Sequence, residues 1–186
     1  SGVQKLVVSV TDPTDTGYQP LGKQKLAPSG IYYTPVSGIW KTVWMEPVPV
    51  SHIYSMRGYA DIDKSEYRFT PFLDMAAKGQ SVRVTVYDGD KKIATMTGAP
   101  NKEIIIPIAN QKLWSPETPF LYNMKVELLK GGKVIDSVDS YFGMRKISTG
   151  KDENGHQRMM LNNKPYFQTG LLDQGWWPDG LYTAPS

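Results

Sequence analysis

Side chains suited to binding sugars are concentrated near the C-terminal end of the sequence. Trp176 and Trp177 offer flat ring faces, which can stack against the rings of sugars. Asp173, Gln174 and Asp179 carry carboxylate or amide groups that can exchange hydrogen bonds with hydroxyl groups. The alternative is that the tryptophans only pack one part of the protein against another. We take these five residues as the candidate substrate-binding residues of a larger, intact protein.

Residues for hydrolytic or metal chemistry are sparse. Asp61 and Asp63 are the closest acidic pair on one face of a predicted strand, but a strand end in water explains both. The two histidines, His52 and His156, are far apart in sequence, and the absence of cysteine excludes Cys-ligated zinc and thiol catalysis. The sequence contains no phosphate loop, dinucleotide fingerprint or Gly-x-Ser-x-Gly motif. We therefore expect no catalytic residue, metal site or cofactor in this chain.

The bulk composition is ordinary for a globular protein and argues against two classes of partner. Of 186 residues, 40% are hydrophobic and 21% are charged. The net charge of +3 is spread along the chain without a basic block, so no nucleic acid partner is expected. No apolar run approaches the roughly 20 residues of a membrane-spanning helix, so no membrane partner is expected either.

Alternating side chains in the middle of the chain predict β-strands. Val82, Val84 and Val86 fall on one face of a strand, and Asp88-Gly89-Asp90 then favours a turn. The predicted strands are His52–Ile62, Glu66–Leu73, Ser81–Tyr87, Lys92–Met96, Glu103–Ile108, Phe120–Leu129 and Val134–Lys146. About seven short strands separated by turns are typical of an immunoglobulin-like β-sandwich. We therefore predict an all-β fold, with further β segments flanking the sandwich.

Those flanking segments are too short to build cores of their own. Leu6–Val10 and Ile39–Met45 are predicted strands on either side of a Pro- and Gly-rich stretch. A hairpin is predicted over Met159–Phe167, followed by a strand over Tyr166–Leu172. We expect both ends to come from neighbouring domains and to pack on the sandwich or on a second copy of the chain, as a homodimer through exposed strand edges.

Four motifs resemble glycoside hydrolase family 2. Residues 37–47 (SGIWKTVWMEP) are similar to the last strand of that family's N-terminal jelly roll. Residues 113–122 (LWSPETPFLY) are similar to the approach to its sixth sandwich strand, and residues 141–147 (YFGMRKI) to the segment that leaves the sandwich. Residues 161–165 (LNNKP) resemble the hairpin before its first barrel strand. All four occur in the order and at the spacing of the family.

The resemblance implies a fragment of a larger enzyme built from a jelly roll, a sandwich and a (β/α)₈ barrel. It assigns residues 1–47 to the C-terminal end of the sugar-binding jelly roll, 48–148 to the immunoglobulin-like sandwich, and 149–186 to a linker, a hairpin and the first barrel strand. The two catalytic glutamates of the family lie on later barrel strands, so this fragment is expected to be inactive. The intact parent is expected to hydrolyse β-glycosidic bonds with retention, with a carbohydrate substrate and β-galactosidase as the favoured activity.

A second function from another class stays open, namely a stand-alone carbohydrate-binding or adhesion module with an immunoglobulin-like fold. The gene downstream of this segment distinguishes the two: a barrel supports the enzyme, and another sandwich repeat supports the module. The compartment also stays open. A periplasmic or extracellular location is favoured for the parent, with the cytoplasm as the alternative.

Overall fold

All regular structure in the described residues is β-structure. The computed structural model describes residues 2–19, 22–39 and 41–173, and within them it has ten strands and no helix. None of the described residues forms a helix able to cross a membrane. The chain divides into two units, Glu46–Thr169 and Ser1–Met45 with Gly170–Ser186, and the ten strands of the described residues all belong to Glu46–Thr169. The predicted all-β fold is therefore confirmed.

Seven strands form a two-layer sandwich. They are β1 (His52–Asp61), β2 (Glu66–Asp74), β3 (Gln80–Asp88), β4 (Lys91–Gly98), β5 (Ile104–Pro107), β6 (Tyr122–Lys130) and β7 (Lys133–Phe142). One sheet has the order β1-β2-β5 and the other β4-β3-β6-β7, with antiparallel neighbours throughout. Each predicted strand of the sandwich is present, with ends that differ by a few residues.

The core lies between the two sheets and follows the predicted alternation. Val82, Val84 and Val86 of β3 are fully buried, and so are Val126 and Leu128 of β6. Inward-facing residues of β2 and β5 pack against them from the opposite sheet. Alternation with period two places every second side chain of a strand in this layer. Since the chain has no cysteine, apolar packing between the sheets holds them together without a disulfide.

The turn after β3 decides where the fourth strand lies. Gly89 has a φ of 58°, which glycine adopts without strain, and it allows a two-residue turn. The chain therefore reverses at once, and β4 pairs with β3, with Asp88 opposite Lys91. At the other edge the sheets are linked by the Asp136 carboxylate, which accepts a hydrogen bond from the Ile53 N–H at 2.8 Å.

A small third sheet follows the sandwich. It contains β8 (Ile147–Lys151), β9 (Gln157–Leu161) and β10 (Lys164–Pro165), in the order β10-β9-β8. The β9–β10 hairpin confirms the core of the hairpin predicted over Met159–Phe167. The turn between β8 and β9 is closed by Asp152, whose Oδ1 accepts hydrogen bonds from the N–H groups of Asn154 and His156.

Three predicted strands in the flanking segments are wrong. Leu6–Val10 and the described part of Ile39–Met45 are irregular and exposed, and Tyr166–Leu172 is also not a strand. A β-strand requires a neighbouring backbone to bond its N–H and C=O groups. Apart from the Tyr166 N–H, which donates to the Met159 carbonyl at 3.0 Å, no described backbone pairs with these three segments, so the apolar pattern alone does not make them strands. The assignment of the flanks to a jelly roll and a barrel stays a prediction.

Candidate interdomain junction

Three of the four motifs that resemble family 2 meet at one end of the sandwich. They are residues 113–122, 141–147 and 161–165, which are separated in sequence. We call the place where they meet the exit junction, and it comprises Asp63 with residues 113–118, 143–147 and 161–166. The chain passes through it on leaving the sandwich for the three-stranded sheet, so its contacts fix how that sheet is attached.

The chain leaves the sandwich through a short irregular segment in which Met144 forms an isolated β-bridge with Leu113. The strand predicted to reach Lys146 ends at Phe142, because Met144 turns inward and becomes fully buried. The Met144 carbonyl accepts a hydrogen bond from the Trp114 N–H at 2.9 Å. A Cβ at Gly143 would lie 3.2 Å from the Cβ of Trp114, so glycine here lets the two segments approach closely.

Asn162 connects three segments of the exit junction. Its Nδ2 donates to the Trp114 carbonyl at 2.9 Å, and its Oδ1 accepts from the Lys146 N–H at 3.0 Å. The Asn162 N–H in turn donates to the Lys146 carbonyl at 2.8 Å. Asn162 and Asn163 both have left-handed backbones, with φ of 53° and 66°, as a two-residue hairpin turn requires. The turn therefore aims the Asn162 side chain back at the sandwich.

Two carboxylates complete the junction from the sandwich side. Asp63 forms an ion pair with Lys146 and accepts a hydrogen bond from Asn163 Nδ2 at 2.6 Å. Glu117 accepts a hydrogen bond from the Tyr166 hydroxyl at 2.7 Å. The hydrogen bonds from Lys146 and Asn163 lower the pKa of Asp63, and the hydrogen bond from Tyr166 lowers the pKa of Glu117. Both carboxylates are thus held ionised as structural acceptors.

The lowered pKa of Asp63 predicts a pH-dependent contribution to stability. Since the folded-state pKa lies below the ordinary value of 3.8, ionised Asp63 stabilises the fold above pH 3.8. That contribution is lost as the pH falls through the folded-state pKa. We expect Asp63→Asn to lower the urea midpoint at pH 7, with a difference from the native chain that shrinks on acidification below pH 3.8.

The matched control for this experiment is Lys146→Met, which removes the main hydrogen-bond donor to Asp63. In that background, Asp63→Asn should change the urea midpoint less at pH 7 than it does in the native chain. An equal effect in both backgrounds would show that Lys146 does not stabilise the ionised form.

An open cleft of about 770 Å³ lies beside the exit junction. Its walls come mainly from the end of β1, the end of β7 and residues 143 and 145–147. Tyr67 lies at the cleft, and burial raises the pKa of its hydroxyl. Gly58 makes room for this tyrosine, since a Cβ at position 58 would lie 2.3 Å from the Tyr67 hydroxyl oxygen. Its charged lining consists of two cations, Arg145 and Lys146, and two carboxylates, Asp61 and Asp63, which pair with Lys64 and with Lys146 respectively.

Of the five candidate substrate-binding residues, one, Asp173, lies within the described residues. Asp173 is exposed and lies outside any strand. Gln174, Trp176, Trp177 and Asp179 lie outside the described residues, so their proposed contacts with sugar stay predictions. Sequence reasoning did not single out Asn162 as a functional residue, although two consecutive asparagines between short strands are a recognisable turn signal.

The described residues contain no group of three or more His, Asp or Glu side chains placed to hold a metal ion. Asp61 forms an ion pair with Lys64 at 3.3 Å, whereas Asp63 bonds to Lys146 and Asn163. Four carboxyl groups of the described residues have a pKa that departs from the ordinary value, and in each the pKa is lowered. They are Asp63, Glu117, Glu127 and Asp152. The arrangement suits rigid attachment of one segment to another better than proton transfer.

Comparisons with known proteins agree with the motifs. The family model for glycosyl hydrolases family 2 matches residues 61–145. A putative β-glucuronidase from Formosa agariphila is 28% identical over 173 residues, which cover 88% of this chain and 20% of that protein. A β-galactosidase from Lactococcus lactis is 24% identical over 153 residues, covering 80% of this chain and 14% of the relative. The chain thus spans a fifth or less of the length of these relatives.

A solved structure shares the fold. The crystal structure of a β-glucuronidase from Ruminococcus gnavus superposes with a TM-score of 0.53 and 19% identity, over 66% of this chain and 20% of that one. The family model matches through the sandwich to Arg145, which lies in the exit junction. The motifs, the family match over residues 61–145 and the similar sequences together support a fragment of a glycoside hydrolase family 2 protein.

Proposed function

We propose that this chain is a non-catalytic scaffold segment of a longer family 2 glycosidase, which we call the parent protein. The observation that carries the proposal is the exit junction, where backbone and side-chain hydrogen bonds tie the outgoing chain to the sandwich. Because several hydrogen bonds attach the outgoing chain, its direction relative to the sandwich is fixed. The sandwich would therefore hold the following catalytic domain at a fixed orientation.

The chemistry of the described carboxylates supports a non-catalytic role. A retaining glycosidase uses two carboxyl groups about 5–5.5 Å apart, and its general acid needs a raised pKa to remain protonated at neutral pH. Asp63 and Glu117 instead have lowered pKa values and are committed to partners in the exit junction. The catalytic pair of the parent protein would then lie in its barrel, beyond this segment.

The parent protein is proposed to hydrolyse β-glycosides by the retaining mechanism. β-Galactosides are the first substrates to test and β-glucuronides the second, because the similar proteins carry one or the other name. In this proposal residues 1–47 close a jelly roll, residues 48–148 form the sandwich and residues 149–186 lead into the barrel. Asp173 and Gln174 would then approach the sugar where the chain enters the barrel, with Trp176, Trp177 and Asp179 beyond them.

Enzyme assays on the isolated chain and on the parent protein test this proposal. We expect the 186-residue chain to release no p-nitrophenol from p-nitrophenyl β-galactoside or β-glucuronide above the buffer rate. The parent protein is expected to cleave one of them and to release the β-anomer first, as observed by proton NMR. Cleavage by the isolated chain that Asp63→Asn abolishes would overturn the scaffold role. A gene with further sandwich repeats and no barrel would replace it with the adhesion module.

A further inference from the structure

The cleft beside the exit junction has an apolar rim that nothing in the described chain covers. Tyr59, Leu121, Tyr141 and Ile147 are 56%, 43%, 67% and 70% exposed, and all four line the same cleft. They come from β1, from the segment before β6, from the end of β7 and from the start of β8. Clustered exposed apolar side chains of this kind mark a contact surface.

The cleft also contains a cation without an anionic partner. Among the described arginines, three pair with carboxylates: Arg68 with Glu103, Arg83 with Glu127 and Arg158 with Asp152. Arg145 has no ion pair within the described residues and lies over the Trp114 ring, 4.6 Å from its centroid. Its planar guanidinium can accept a carboxylate from outside in a paired, two-bond geometry.

We propose that the cleft receives an apolar loop carrying a carboxylate, contributed by the polypeptide that follows this segment in the parent protein. This inference rests on the proposed function and names the surface on which the following domain sits. Gly143, Arg145, Lys146 and Ile147 line the cleft on the segment by which the chain leaves the sandwich, so the chain beyond the sandwich begins at its rim. The relatives supply ample chain for this contact, since this segment spans only 20% of the Formosa agariphila protein.

A protein loop suits the cleft better than a sugar does. Leu121 and Ile147 are branched aliphatic side chains that offer a sugar neither hydrogen bonds nor a flat surface. One face of the Trp114 ring, which could otherwise stack on a sugar, is occupied by Arg145. A loop with an apolar side chain and a carboxylate would satisfy both the aliphatic rim and the guanidinium.

Hydroxyl-radical footprinting of the tyrosines tests the inference in the parent protein against the isolated chain. Tyr141 at the cleft should be labelled readily in the isolated chain and about fivefold or more slowly in the parent, because an interface core excludes water. Tyr54 is the matched control, since it is 62% exposed on β1 and does not line the cleft. It should be labelled at similar rates in both proteins.

Charge reversal at Arg145 then tests whether this cation binds the carboxylate of the docked loop. In the parent protein, Arg145→Glu should restore labelling of Tyr141. The matched control is Arg57→Glu, since Arg57 also lacks an ion pair within the described residues but lies over Phe72, outside the cleft. This control should leave Tyr141 protected. Equal labelling of Tyr141 in both proteins would overturn the inference. So would protection of Tyr141 in the isolated chain by galactose or glucuronate, which indicates a sugar site, or by raising its concentration, which indicates a second copy.

The same preparation of the parent protein separates this inference from the proposed function. A parent that cleaves glycosides but leaves Tyr141 fully labelled keeps the proposed function and loses the docking surface. A parent that protects Tyr141 but cleaves no glycoside keeps the docking surface and loses the enzymatic role.

Discussion

Replacing Asn162 by alanine should lower the free energy of unfolding by about 2–4 kcal/mol, which is large for a residue in a hairpin turn. The substitution removes the hydrogen bonds to the Trp114 carbonyl and from the Lys146 N–H, both in a partly buried setting. Alanine also lacks the polar side chain by which asparagine tolerates a left-handed backbone, here with φ of 53°, a conformation that costs an L-residue about 1–2 kcal/mol. Urea denaturation of the 186-residue chain measures the change.

Asn162→Gly separates the two causes, because glycine keeps the left-handed backbone without strain but lacks the side chain. We expect Asn162→Gly to be more stable than Asn162→Ala and still less stable than the native chain by about 1–3 kcal/mol. A glycine variant as stable as the native chain would mean that the side-chain bonds contribute nothing. In that case the exit junction would not owe its rigidity to Asn162.

The sandwich was predictable because its signal is local. In β3 the alternation of Val82, Val84 and Val86 with more polar residues fixes which face is buried, whatever the partner strand is. The Asp88-Gly89-Asp90 turn likewise fixes the return into β4 from neighbouring residues alone. The strands predicted in the flanks were wrong because local pattern was the only signal for them. Leu6–Val10 carries an apolar pattern, but a strand also needs a partner backbone, and no described segment supplies one.

The exit junction could not be predicted, because its bonds join residues that are remote in sequence. Asn163 and Asp63 are 100 positions apart, and Asn162 and Trp114 are 48 apart. The sequence shows that an Asn-Asn pair favours a turn, but not which carbonyl or carboxylate that turn will face. The resemblance to family 2 identified the right segments, and only the fold shows that three of them meet.

The second large effect is expected at Phe142, the last residue of β7. Its ring stacks on Tyr67 with centroids 3.7 Å apart, and its centroid lies 5.4 Å from that of the Tyr122 ring. Phe142→Ala should lower the free energy of unfolding by about 3–5 kcal/mol, because it removes a buried ring and leaves a cavity beside two others. Since Phe142 directly precedes the exit junction, the change should also loosen the attachment of the following sheet.

Two variants show whether the stack itself causes the loss. Phe142→Leu retains much of the buried volume but removes the aromatic pairs, which contribute about 0.5–1.5 kcal/mol each beyond burial, so its effect should be intermediate. Tyr141→Ala alters the adjacent residue, which is exposed on the cleft rim, and should change stability by less than about 0.5 kcal/mol in the isolated chain. If Tyr141→Ala destabilised the chain as much as Phe142→Ala, the rim would already be packed, and the cleft would not be free to receive a partner.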